Sequence, residues 1–220
     1  MGEQRERAIN APGAVILLLS ILVGGFVLQS MVGVDQVASA WGFAPRDLDA
    51  GRYVTLVTAL FIHGSWPHVL MNAAFALAFA TPVARRLGEG LWPVAVFAAF
   101  YLICGVVGNL GYAVFNPHSA QAVVGASGAV AGMMGAASRL IGRSDDRLAP
   151  YAAPAVVGMA AAWIGINLLF GLIAPGWAPG SGGAPIAWQA HLAGYAAGLV
   201  LFAPLLRLAG VSAADRSLGN

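Results

Sequence analysis

Four stretches of this 220-residue chain, 8–34, 53–84, 90–138 and 148–206, contain no Asp, Glu, Lys or Arg. Together they take up most of the sequence, and the charges that remain amount to 9% of residues, against roughly 25% in an ordinary soluble domain. A soluble fold cannot clothe its surface with so few charged side chains. Apolar residues reach 59%, which excludes a disordered chain. One cysteine, Cys104, excludes a disulfide scaffold. Eleven arginines against nine acids, with no basic cluster, exclude a nucleic-acid partner. The lipid bilayer is the partner this composition fits.

A bilayer-crossing helix needs about 20 mostly apolar residues. The first two windows hold one span each, near 11–33 and 56–81. The third is broken by Asn116-Pro117-His118-Ser119 and the fourth by the Pro/Gly-rich run 175–185, so each holds two. The expectation is an all-α, polytopic bundle of six transmembrane helices. Long apolar runs without a period of two argue against a barrel. Nine arginines (Arg5, Arg7, Arg85, Arg86, Arg139, Arg143, Arg147, Arg207, Arg216) fall on one side of these spans, and Arg46 and Arg52 on the other. The positive-inside rule then places both termini in the cytoplasm. The layout reads as a cytoplasmic N-terminus (1–10), a membrane domain (11–209) and a short polar cytoplasmic tail (210–220). Trp66, Trp177 and Trp188 suit an interfacial belt. Val34 to Arg52 is too polar to span and reads as a loop on the outer face. Ala38-Ser39-Ala40 resembles a signal-cleavage site, but the apolar stretch before it is overlong, and Asp35 and Gln36 intervene.

No ionisable Asp, Glu, Lys or Arg lies inside a span, which disfavours a proton-coupled pump, transporter or ion channel. The intramembrane polar residues left for chemistry are His63, His68, Asn72, Asn109, Ser127, Asn167 and His191. The arginines serve as a ruler for their depth. His68 stands 17 residues before Arg85, Ser127 16 before Arg143, and His191 16 before Arg207. At 1.5 Å per residue all three lie about 24–26 Å from the cytoplasmic boundary. His68 and Asn72 share a helix face at i, i+4, whereas His63 points elsewhere, so a zinc site is disfavoured and no metal is expected.

Ser127 stands in Gly125-Ala126-Ser127-Gly128 at the start of a run rich in small residues. Gly194 and Gly198 form a G-x-x-x-G pair one turn below His191. Close packing of these two helices brings His191 to Ser127. Free N–H groups at the helix start beside Ser127 are what an oxyanion needs. Taken singly, Gly-Ala-Ser-Gly is a packing motif and a membrane histidine an interhelical hydrogen bonder; the common depth joins them.

Three motifs, His63-x-x-x-x-His68-x-x-x-Asn72, Gly125-Ala126-Ser127-Gly128 and Ala190-His191-Leu192-Ala193-Gly194-x-x-x-Gly198, resemble those of the rhomboid family of intramembrane serine proteases, over nearly the whole chain. The resemblance implies Ser127 as nucleophile, His191 as general base, and an oxyanion site from His68, Asn72 and the Ser127 backbone N–H. Gly125, Gly128, Gly194 and Gly198 support the site, and no cofactor is implied. Substrates would be single-span or polytopic membrane proteins, cut near the outer ends of their helices at small residues after local unwinding, in a bacterial-type inner membrane. A relative that binds helices without cleaving them is the alternative. With no acid in the spans, only a Ser–His dyad is available. The Gly/Pro-rich loop 174–187 and the adjoining outer end of span 5 suit a cap or gate.

The chain departs from the family pattern at three places. The aromatic residue four positions after the serine in many relatives is Ala131, leaving His191 without that support. The Trp-Arg pair of the first external loop is out of register, with Arg52 three residues upstream of its place. The soluble elbow G-x-S-x-G fails at Ala129. The remaining polar and reactive groups read as structural. His63 holds the loop before span 2, His118 is solvated, and Cys104 is a small apolar residue. Asn109 and Asn167 are interhelical hydrogen bonders, and Asn167 sits where substrate would enter.

Overall fold

The computed structural model describes residues 11–142 and 147–211. Arg5, Arg7, Arg143, Arg216 and most of the two terminal segments lie outside them. The described residues form nine α-helices: α1 (Gly13–Val32), α2 (Val34–Trp41), α3 (Arg46–Asp49), α4 (Thr55–Thr58), α5 (Trp66–Leu87), α6 (Leu91–Phe115), α7 (Ser127–Ser138), α8 (Pro154–Leu168) and α9 (Trp188–Leu208). A 3₁₀ turn, Ala59–Phe61, follows α4, and one π turn, Leu169–Ile173, extends α8. Five helices are long and apolar enough to cross a membrane: α1, α5, α6, α8 with its π turn, and α9.

The fourth expected span is different. It forms α7, 12 residues long, which rises only about 18 Å and cannot cross a hydrocarbon core of about 30 Å alone. All its residues from Gly128 to Ser138 are buried. Helix α7 is therefore the axis of the bundle, with α9, α6 and α5 packed around it.

Small side chains make that axis possible. A Cβ on Gly194 would run into the carbonyl of Gly128, and one on Gly198 into that of Gly132. A Cβ on Gly135 would strike the backbone of Tyr195. Backbone contact at this range gives the van der Waals packing that holds helices together where no hydrophobic drive operates.

The second expected span starts ten residues late. Residues 56–65 are apolar enough to be counted into it, yet they lie in α4, the 3₁₀ turn and a stretch without helix. Gly64 and Ser65 restart the chain, Ser65 Oγ accepts from the N–H of His68 as N-cap, and Pro67 occupies the first turn of α5. The irregular backbone is satisfied from within the protein. Tyr101 Oη donates to the Leu60 carbonyl (3.1 Å), and Asn109 Nδ2 to that of Leu56 (2.9 Å). Gln29 of α1 clasps the backbone of His63 from both sides, donating to its carbonyl at 2.7 Å and accepting from its N–H at 3.1 Å. Such backbone is tolerated inside a membrane protein only where protein groups bond it.

The polar segment after α1 folds onto this layer. Phe43 and Val123 exchange backbone hydrogen bonds in an isolated bridge. Buried Asp47 accepts from the Ala44 N–H and pairs with Arg52 at 3.4 Å, while Arg52 also donates to the Ala40 carbonyl. The out-of-register arginine thus pins the loop. His118 is exposed but not merely solvated, since it meets Asp49 at 2.7 Å.

Candidate active site

Helices α5, α7 and α9 all begin at the end of the bundle opposite Arg85, Arg86, Arg139 and Arg207, and each carries in its first turn one of the three residues placed at a common depth. His68 lies in the first turn of α5, Ser127 opens α7, and His191 lies in the first turn of α9. His191 Nε2 lies 2.8 Å from Ser127 Oγ. This is a short, unstrained hydrogen bond. The packing of Gly194 on Gly128, one turn down, sets it.

Because α7 starts at Ser127, its first N–H groups have no helical partner. The chain enters through Gly125, whose φ of +124° few side chains adopt. A Cβ there would also stand 2.7 Å from His68 Nε2 and 3.6 Å from Asn72 Nδ2. These two donors therefore sit two residues from Ser127. His68 Nδ1 accepts from the Gly64 N–H at 3.4 Å, which leaves the ring's proton on Nε2. Asn72 Nδ2 spends one hydrogen on the His68 carbonyl (3.1 Å) and has a second to offer.

His63 does not join them. It is wholly buried, its backbone is held by Gln29, and its Nε2 accepts from the Ala126 N–H at 3.5 Å. Accepting through Nε2, the ring acts as an acceptor under the segment that leads to Ser127. Its ring meets His68 edge-on at 5.2 Å, yet among the described residues no three His, Cys, Asp or Glu side chains cluster to hold a metal.

His68, Asn72, Ser127 and His191 line one cavity of about 740 Å³. Its walls are apolar, with Met71, Phe75, Met134 and Phe170 among them. The loop between α8 and α9 covers it. Gly180 lies close over α5, where a Cβ would be 3.1 Å from Met71 Cβ and from the Pro67 carbonyl.

Two further side chains reach His191, both from α8. Asn167 Oδ1 lies 2.7 Å from His191 Nδ1, and the Trp163 and His191 rings stand 5.9 Å apart at 38°. Trp163 was not singled out in the sequence, and the place of Asn167 against His191 was not foreseen. A faint signal existed: Trp163 and Asn167 are i, i+4, and Asn167 is the one strongly polar residue of its span.

A model of the rhomboid domain matches residues 50–208. The chain belongs to the rhomboid family. It is similar to the putative rhomboid protease YdcA of Bacillus subtilis, with 34% identity over 85 residues, 39% of this chain and 40% of that protein. It is also similar to the RHOMBOID-like protein 9, chloroplastic, of Arabidopsis thaliana (30% over 142 residues, 61% of this chain and 31% of the relative). The rhomboid protease GluP of B. subtilis matches at 31% over 114 residues, 50% of this chain and 21% of that protein. The matched regions thus span well under half the length of these relatives. The rhomboid match includes every residue of the cavity described above.

Proposed function

We propose that this rhomboid-family chain is an active intramembrane serine endopeptidase that works by a Ser127–His191 dyad. Membership of the family supports intramembrane proteolysis as the class of activity. The observation that carries the finer reading is the 2.8 Å approach of His191 Nε2 to Ser127 Oγ at a helix start that lines a cavity.

In this reading Ser127 Oγ attacks the scissile carbonyl as His191 Nε2 takes its proton. The oxyanion is held by the Ser127 N–H, His68 Nε2–H and the spare Asn72 amide hydrogen. Collapse of the tetrahedral intermediate breaks the C–N bond, and His191 returns the proton to the leaving amine. Water then attacks the acyl-enzyme with His191 again as base, releasing the acid and restoring Ser127. With no carboxylate partner for the histidine, oxyanion stabilisation and exclusion of bulk water carry more of the rate. The loop over the cavity serves the second need.

Substrates in this reading are membrane proteins whose helices unwind into the cavity near the outer face and are cut at small residues. The chain sits in a bacterial-type inner membrane as a domain over 11–209, with both termini in the cytoplasm. Reporter fusions after residues 88 and 145 should then report cytoplasm, and one after 118 the outside. The chemical test uses purified protein in detergent with a transmembrane reporter. Ser127→Ala and His191→Ala should each lower kcat by about 10⁴-fold or more without shifting Tm. A fluorophosphonate should label Ser127 in wild type and not in His191→Ala, which separates a protease from a helix-binding relative. Cleavage that survives Ser127→Ala sinks the mechanism.

A further inference from the structure

Asn167 is out of place on α8. Of that helix only Val156 and Asn167 are buried, Asn167 to 1% exposure, while the rest of its surface is open or half-open. A polar side chain buried on an otherwise open apolar helix needs a partner that repays its desolvation. Its two partners fix its orientation completely. The Trp163 carbonyl only accepts, so the Asn167 group 2.9 Å from it is the amide Nδ2. Oδ1 must then be the atom facing His191 Nδ1 at 2.7 Å. An amide oxygen only accepts, so His191 carries its proton on Nδ1 and turns the Nε2 lone pair toward Ser127.

From this geometry we infer that Asn167 is the positioning residue of His191, making the site a Ser127–His191–Asn167 relay whose third member stands on α8. The inference rests on the dyad reading above and supplies what a dyad lacks, a fixed tautomer. Trp163, one turn earlier on the same helix, completes the clamp through its carbonyl on Asn167 and its ring beside His191. It also resolves the departure at Ala131. That small side chain is buried in one cluster with Trp163 and Tyr195, so α8 supplies the aromatic ring for His191 that α7 does not. One turn of α8 therefore holds the imidazole from two sides, and the base is oriented only while α8 is docked.

The titratable groups around His191 are few. His68 of α5 faces it across the cavity, and Ser127 is its partner on α7. Helix α8 presents Asn167 and Trp163, neither of which titrates. On α6, Tyr112 packs against the neighbouring Ala190, and on α9 itself Tyr195 lies one turn on. A carboxylate at 167 is thus the one new charge that a substitution would bring to Nδ1.

The test compares Asn167→Ala and Asn167→Asp with wild type in detergent, on a transmembrane reporter, across pH. Asn167→Ala should lose about 10- to 10³-fold in kcat with little change in KM, less than the roughly 10⁴-fold lost when an acidic partner is neutralised in a full triad. Asn167→Asp keeps an acceptor at Nδ1 and should restore most of kcat. Its negative charge favours the imidazolium, so the acidic limb of its kcat profile should move to higher pH. Independently of turnover, ¹⁵N-histidine NMR in the Ser127→Ala background should show the Nδ1–H tautomer of His191, and adding Asn167→Ala should mix in the Nε2–H form. A kcat within twofold of wild type in Asn167→Ala, or an unmixed tautomer in the double variant, overturns the positioning role and leaves the Ser127 reading standing. Equal loss in Ala and Asp variants with unchanged pH profiles also overturns it. Cleavage by Ser127→Ala would instead overturn the dyad itself.

Discussion

Helices α7 and α8 each send a residue to His191, yet they are built on opposite plans. Helix α7 is 12 residues of mostly Gly, Ala and Met, buried from Gly128 to Ser138. Helix α8 is strongly apolar, but only Val156 and Asn167 are buried. The first is held by backbone-to-backbone packing against α9, and such an interface has two discrete outcomes, fitted or broken. The second leans on the bundle through a few side chains, Trp163, Asn167 and Met159 among them, and few buried contacts are the mark of elements that open most readily. Ser127 stands on the tightly packed helix, and Asn167 on the loosely seated one. On the proposed protease reading, a cavity that admits a helix and still holds hydrogen-bond geometry needs both.

The sharpest way to damage the fixed side without touching the dyad is Gly125→Ala. The substitution strains a φ of +124° and sets a methyl group 2.7 Å from His68 Nε2. Either the chain leading to Ser127 or the His68 ring must shift. Losing one oxyanion donor costs about 10² to 10³ in kcat, and that is the expected fall, read as kcat of the purified variant. KM should stay near wild type. An unchanged kcat would show that His68 plays no part in holding the oxyanion.

Next in size is Gly198→Val, which tests the packing itself. The added Cβ meets the Gly132 carbonyl, where no side chain can yield, so α7 and α9 must separate. Overpacking of this kind costs about 1–3 kcal/mol, visible as a lower Tm in detergent, with activity falling because Ser127 and His191 drift apart. A Tm equal to wild type would mean that the α7–α9 seam is looser than its geometry says.

How much of this was legible beforehand follows the same division. For His68 and His191 the count from arginines ran along one continuous helix, which converts residue number into height. For Ser127 it did not, since α7 ends at Ser138 and Arg143 lies outside the described residues, yet all three residues stand in the first turns of helices at one end of the bundle. Hydropathy could not tell which apolar segments face lipid and which face protein. It therefore counted residues 56–65 into a transmembrane helix, where Tyr101, Asn109 and Gln29 instead satisfy a broken backbone, and it took the buried α7 for a full span. The Asn167–His191 bond was hidden for a different reason. It depends on the rotation of α8 about its own axis, and an apolar helix with no strong polar face leaves that rotation unwritten in the sequence.

The smallest expected effect is the one that most cleanly separates the two helices. Gly165 of α8 has nothing within 4 Å of where a Cβ would stand, and neither has Gly158. Gly165→Ala and Gly158→Ala should therefore leave stability within about ±0.5 kcal/mol, the range of substitutions that meet no neighbour. Any drift should be upward, since alanine loses less backbone entropy in a helix than glycine. The added methyl group that would collide with the Gly132 carbonyl at Gly198 of α9 thus meets nothing on the neighbouring α8. Paired Tm measurements on Gly198→Ala and Gly165→Ala make the comparison at constant chemistry. If Gly165→Ala lowers Tm as far as Gly198→Ala, then α8 is seated as tightly as α7, and the division between a fixed nucleophile side and a movable access side fails.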